Sequence, residues 1–169
     1  ALLLHVDGHH AKAALQAAKK VQVLGGLVSV DGGHASPDID ALLPYADIMI
    51  MSETFMLERS KQKEIATQMK ILSQKYHPKV LIITRGEKGV WYWEDGKVKK
   101  LPAFRVVAKD TTGAGDVFHG AFLYGYLQGW PMLKSIQFGQ AASALKVQHF
   151  GARQGVPNQK MIERFLKAQ

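Results

Sequence analysis

The stretch of this sequence best equipped for chemistry is Asp110-Thr111-Thr112-Gly113-Ala114-Gly115-Asp116-Val117-Phe118. It joins a flexible Gly-Ala-Gly turn to an apolar run, Ala121-Phe122-Leu123-Tyr124-Gly125-Tyr126-Leu127, that reads as a helix. A glycine-bearing turn at a helix start leaves backbone N–H groups without intrahelical acceptors at the positive end of the helix dipole, which is a ready site for an anion. Asp116, on the first turn beside that site, is electrostatically out of place if the turn only holds an anion. It makes sense if the carboxylate takes a proton from a hydroxyl while the amides of Gly113, Ala114, Gly115 and Asp116 steady charge that moves during phosphoryl transfer. The plainer alternative is a helix N-terminus whose first-turn acid merely suits the dipole.

Elements before and after that turn must position it. The chain has 169 residues, 47% of them hydrophobic, enough for one domain with a real core. It opens on a short buried strand, Leu2–Val6, followed by Asp7 and by a helix over Ala11–Leu24 with Ala14, Leu15, Ala18 and Val21 on one face. Leu27–Asp31 is the next strand. Pro37–Leu43 is a short helix with Ser36 as its cap and Pro37 at its first position. Ile48–Met51 is a third strand, Ser52 leads another short helix, and Lys61–Tyr76 is a longer one with Ile65, Met69 and Leu72 inward. Val80–Thr84 is a fourth strand. Gly86–Gly89 turns into Val90–Trp93, and Asp95-Gly96 forms the tip of a hairpin that returns as Val98–Leu101. Phe104–Val107 reads as one more extended piece, and helices follow near Ala114–Leu127, Met132–His149 and Asn158–Lys167. Short apolar strands alternating with helices predict a parallel sheet with right-handed crossovers, whose ligands gather at the carboxyl ends of the strands. That rule brings Asp7, Asp31, Ser52 and Thr84-Arg85-Gly86 toward the signature turn.

Composition excludes several classes. Without cysteine there is neither a disulfide nor a thiolate zinc site. No apolar run approaches the ~20 residues of a membrane span, and the opening residues lack the basic start of a secretory signal, so no membrane partner is expected and a cytoplasmic location is. The formal charge of +8 is spread over short groups (Lys19-Lys20, Lys61 and Lys63, Lys97, Lys99-Lys100) with no aromatic-interleaved stripe. A nucleic-acid partner is therefore not expected, while a generally positive field would favour anionic nucleotides.

The nine-residue run Asp110–Phe118 closely resembles the C-terminal signature of the ribokinase-like, PfkB-type carbohydrate kinases. Thr84-Arg85-Gly86-Glu87-Lys88-Gly89 resembles the family's Thr-x-Gly-x-x-Gly turn beside the nucleotide phosphates, although as a bare pattern it also reads as a hairpin turn. Gln140–Val147, followed by Gly151-Ala152 and Pro157, is similar to the family's last helix and loop, which flank the adenine. The resemblance implies a three-layer α/β/α fold with a mostly parallel sheet and an antiparallel hairpin at one side. It also implies ATP and Mg2+ as cofactors and a small sugar as the acceptor. Asp116 becomes the base. Thr84, Gly86 and Gly89 line the nucleotide side, joined by Ser52, Gln140 and Gly151. In many members a monovalent cation sits near Asp110 and Thr112 and near carbonyls of the later loop, where Gly155 stands in place of a side-chain ligand.

Departures from the family pattern carry expectations too. Many relatives have Asn-x-x-Glu after the third of these strands, linked to magnesium. Here the segment is Ser52-Glu53-Thr54-Phe55, a variant that resembles the ketohexokinase-like and sulfofructose-kinase-like branch. Glu53 is the candidate substitute, and magnesium is otherwise held by ATP oxygens and water. The resemblance spans the whole chain but only the C-terminal part of these kinases, so the first strands and the small β lid are expected to lie outside it. In many relatives that lid builds a homodimer. The expectation is one α/β domain, residues 1–169, forming the nucleotide-binding and catalytic part of a larger sugar kinase. A nucleoside or vitamin-alcohol kinase and a catalytically incomplete nucleotide-binding fragment are the alternatives.

Overall fold

The computed structural model describes residues 1–60 and 64–169. The chain divides into two compact units, Ala1–Gly86 with Val90–Leu101 and Glu87–Gly89 with Pro102–Gln169.

The first unit is built on six strands in the order β1-β2-β3-β4-β5-β6. These are β1 (Leu3–Val6), β2 (Leu27–Gly32), β3 (Ile48–Ser52), β4 (Val80–Thr84), β5 (Val90–Glu94) and β6 (Lys97–Leu101). The first four run parallel, and β5 and β6 turn back antiparallel. Between the parallel strands come α1 (Ala11–Val23), α2 (Pro37–Leu42), α3 (Glu53–Arg59) and α4 (Ile65–Tyr76). Strands that follow one another across the sheet without a reversal send every right-handed crossover to the same face. The core agrees: Val28, Val30, Met49, Met51, Leu81 and Ile83, alternate residues of β2, β3 and β4, bury with Ala18, Leu42, Phe55, Met69 and Leu72 of the helices. Helix starts follow local chemistry. Ser36 accepts the Ile39 N–H at 3.2 Å and Ser52 accepts the Phe55 N–H at 2.9 Å, each satisfying a donor the helix leaves orphaned. The Glu94–Lys97 hairpin has Asp95 at φ 54° and Gly96 at φ 72°, the two positive φ values of the turn that matches strand twist. The expected helix over Lys61–Tyr76 begins at Ile65, and Lys61, Gln62 and Lys63 lie outside the described residues.

The second unit carries α5 (Ala114–Leu127), α6 (Met132–Lys146) and α7 (Gln159–Lys167). Gly125 and Gly139 allow close approach here. A Cβ at Gly125 would meet Trp130 at 2.8 Å, and one at Gly139 would meet Phe118 at 3.0 Å. Phe138, Ala141, Ala142 and Ile162 form the core, with Phe104 and Phe165 against it. The extended piece expected at Phe104–Val107 forms no strand. Phe104 is anchored by its side chain instead, meeting Phe165 edge-on at 5.2 Å, and just before it Gln140 donates to the Pro102 carbonyl at 3.1 Å. Val107 is exposed.

Candidate active site

The signature folds as a turn at the head of α5. Gly113 is left-handed at φ 75° and precedes the first helical residue, with no side-chain cap. A side chain at this position would be strained, and its Cβ would stand 2.9 Å from the Ala152 carbonyl oxygen. The Ala114 N–H turns back to the Thr111 carbonyl at 3.0 Å. Of the four amides expected to hold an anion, Ala114 is thus already committed. Those of Gly113, Gly115 and Asp116 have no acceptor among the described residues.

Around this turn the chain builds a brace from α6 and the loop after it. Ser143 donates to the Ala114 carbonyl at 3.0 Å, and the Lys146 ammonium to the Asp110 carbonyl at 3.0 Å. The Val147 carbonyl accepts the Lys109 and Asp110 N–H groups at 2.7 and 3.1 Å. Asp110 closes the brace from the other side, its carboxylate accepting the Thr112 N–H at 2.9 Å and the Gly151 N–H at 2.7 Å. The N–H and hydroxyl of Thr112, then the Gly151 N–H and the Lys146 charge, hold this carboxyl down to about 2. Such a group is ionised at every physiological pH.

One face of α5 lines an open cavity of about 620 Å³ within the second unit. Gly113, Asp116, Val117, Gly120, Ala121 and Tyr124 recur at helical spacing along it. Phe138 and Ala142 of α6, Ala152, Val156 and Pro157 of the loop and Ile162 of α7 form apolar walls, with Arg153 and Gln159 at polar positions. The opposite face of α5 is buried through Phe118 and Phe122, whose rings stack at 6.2 Å. Asp116 is exposed. A carboxylate and the three open amides at the head of α5, at one end of a mostly apolar slot, suit a flat ring with an anionic tail. Gln140 and Gly151, expected to contact the nucleotide, do not line this cavity and serve as braces.

In the first unit, the parallel register sets Asp31 beside Ile50 and Ser52 beside Thr84, so these residues and Asp7 occupy the carboxyl ends of neighbouring strands. Thr84 donates to the Met51 carbonyl at 3.4 Å. Ser52, besides capping α3, donates to the Gly33 carbonyl at 2.6 Å. Gly86 and Gly89 take the positive φ values of 57° and 90° that their turn demands. Phe55, in place of the usual acid, is fully buried in the core, and the Glu53 carboxylate is engaged by the Arg85 guanidinium. Neither residue is therefore placed as a magnesium ligand. The same Arg85 lies 4.3 Å over the Trp91 ring, a contact that no motif announced.

These geometries invite comparison with known proteins. The fold is the ribokinase-like α/β fold. The crystal structure of a putative ribokinase II from E. coli in complex with ATP and Mg2+ superposes with a TM-score of 0.90 at 26% identity, covering 99% of this chain and 59% of that one. The chain belongs to the PfkB family of carbohydrate kinases, whose family model matches residues 1–159. Among curated relatives, a ribokinase of Lactococcus lactis is 39% identical over 87 residues, 52% of this chain and 29% of its own length. A 5-dehydro-2-deoxygluconokinase of Clostridium beijerinckii is 33% identical over 113 residues, 66% of this chain and 33% of its own. The chain thus spans about a third of the curated relatives it matches. No helix among the described residues is long and apolar enough to cross a membrane.

Proposed function

We propose that this chain supplies the nucleotide and phosphoryl-handling part of an ATP-dependent sugar kinase. The acceptor hydroxyl gives its proton to Asp116, and its oxygen bonds to the γ-phosphorus. The bond from that phosphorus to the β–γ bridging oxygen breaks, and ADP departs. The open amides at the head of α5 stabilise the charge on the transferring group. The purine of ATP occupies the mostly apolar cavity. Thr84, Gly86 and Gly89 serve the phosphate side, with Ser52 as a further contact. With Phe55 buried and Glu53 engaged by Arg85, magnesium is assigned to phosphate oxygens and water. This reading fits a cytoplasmic protein acting on ATP and a small sugar.

The observation that carries the reading is the union of Gly113 and Asp116 on one cavity walled mostly by apolar side chains, with Arg153 and Gln159 as its other polar groups. Calorimetric ATP titration and ADP release with a panel of small sugars test it. Asp116→Asn is expected to keep ATP affinity and to lower turnover by the ~10²–10⁴-fold typical of a general base. Unchanged turnover in that variant would remove Asp116 from the role. ATP binding with no turnover on any acceptor would favour a nucleotide-binding module instead.

A further inference from the structure

The residues that the family resemblance assigns to a monovalent cation are tied into the turn by the chain's own hydrogen bonds. Both Asp110 carboxylate oxygens already accept N–H groups, from Thr112 and from Gly151. Position 155 admits no side-chain ligand, since Gly155 is at φ 82° and a Cβ there would stand 2.5 Å from the His149 side chain. A cation is present nonetheless. Lys146 reaches from the last turn of α6 with 0% exposure and sets its ammonium 3.0 Å from the Asp110 carbonyl oxygen.

Burying an ammonium costs several kcal/mol unless charge and hydrogen bonds compensate. Lysine otherwise reaches for water from a helix end. Here it turns inward to a carbonyl beside an ionised carboxylate, the donor chemistry by which a hydrated monovalent cation would be stripped and held. We propose that Lys146 is the resident cation of the signature turn, a tethered ammonium that makes the brace independent of potassium or any other free monovalent ion. Lys146 acts through Asp110 and the turn and touches no reacting atom, so it is a positioning residue. The inference concerns the turn itself and stands apart from the phosphotransfer reading.

The test is thermal unfolding of the nucleotide-free protein in potassium, ammonium or tetramethylammonium chloride at equal ionic strength. Wild type should melt within about 1 °C in all three salts, because no ion is bound by the native state alone. Lys146→Ala vacates the ammonium position. It should melt lower in tetramethylammonium and recover by about 3 °C or more in potassium or ammonium. Lys146→Met, which fills the space without charge, should melt lower with no ion-specific recovery. Selective stabilisation of the wild type by potassium would overturn the proposal, as would a folded Lys146→Ala variant blind to the identity of the cation. Should Lys146→Ala fail to fold in every salt, wild type decides: equal midpoints support the tethered ammonium, and a potassium-specific rise refutes it.

Discussion

Replacing Gly113 by alanine tests the geometry of the signature turn with one methyl group. Two costs follow from the structure. At φ 75°, an L-side chain in the left-handed region costs about 1–2 kcal/mol. The new Cβ would also stand 2.9 Å from the Ala152 carbonyl oxygen and 3.4 Å from the Ala152 Cα. Those are backbone atoms of the loop tied to Asp110 through Gly151, so the turn or the loop must move, at about 1–3 kcal/mol by analogy with overpacked cores. The sum, about 2–5 kcal/mol, corresponds to a fall in melting temperature of roughly 4–20 °C for a chain of this size. Gly129→Ala is the control. It has a similar φ of 71° in the same unit, with no atom within 4 Å of its Cβ, so it should lose only the first cost, about 1–2 kcal/mol. Urea unfolding of both variants, with ATP titrations alongside, separates the two costs. Gly113→Ala should weaken ATP by about tenfold or more, as a 1.4 kcal/mol loss at the amides would, while Gly129→Ala leaves it unchanged. Equal losses of stability in the two variants would refute the close approach of the turn to Ala152. Unchanged ATP affinity in Gly113→Ala would refute the role of its amides.

Four other substitutions probe the surroundings. Asp110→Asn should destabilise the protein at neutral pH. Because the folded carboxyl titrates at about 2, below its unfolded value of about 3.9, its contribution is full above that value and fades as pH falls toward 2. Urea midpoints of wild type and variant should therefore converge with acidification, and a gap independent of pH would contradict the assignment. Gly120→Ala, on an exposed helical position with no atom within 4 Å of its Cβ, should stabilise by about 0.5–1 kcal/mol. Gly120→Trp should fold but lose ATP binding by about tenfold or more, since it fills a cavity position that any ring would need; retained affinity would place the nucleotide elsewhere. Ser52→Ala should cost about 0.5–2 kcal/mol in chemical denaturation through the lost cap of α3. A loss of nucleotide affinity in that variant without loss of stability would instead favour a direct contact.

The elements and the site were legible to different degrees, for physical reasons. Buried parallel strands are short apolar runs, so β3 and β4 stand out in the sequence, and caps such as Ser36 and the Asp95-Gly96 tip announce themselves by local hydrogen bonding and positive φ. Phe104–Val107 misled because β-branched and aromatic residues suit a strand without specifying one: Phe104 packs against Phe165 and Val107 is exposed. The cavity was half legible. Gly113 and Asp116 belong to the motif, but the wall made by Tyr124, Phe138 and Ile162 depends on which faces of α5, α6 and α7 meet, and periodicity on one helix does not say which of its faces a neighbour covers. Reading α5 at i, i+3, i+4 and i+7 from Gly113 would have found its share of that wall.

Lys146 shows where sequence reasoning stops and why the difference matters for the turn. In sequence it is a basic residue in the last turn of a helix, where the dipole favours a cation and water is near. In the structure it is buried with its ammonium on the Asp110 carbonyl. The functional value of amides at a helix head lies in their being fixed before the charge arrives, since a turn that must reorganise spends the stabilisation it offers. A glycine turn is the least able of all backbones to fix itself. Ser143, Lys146, the Val147 carbonyl and the Asp110–Gly151 clasp supply that rigidity from outside the turn, through α6 and its loop. The motif therefore names the groups that would touch a phosphate, and residues about thirty to forty positions later hold them in place, as the long-range loop closures of a folded domain allow.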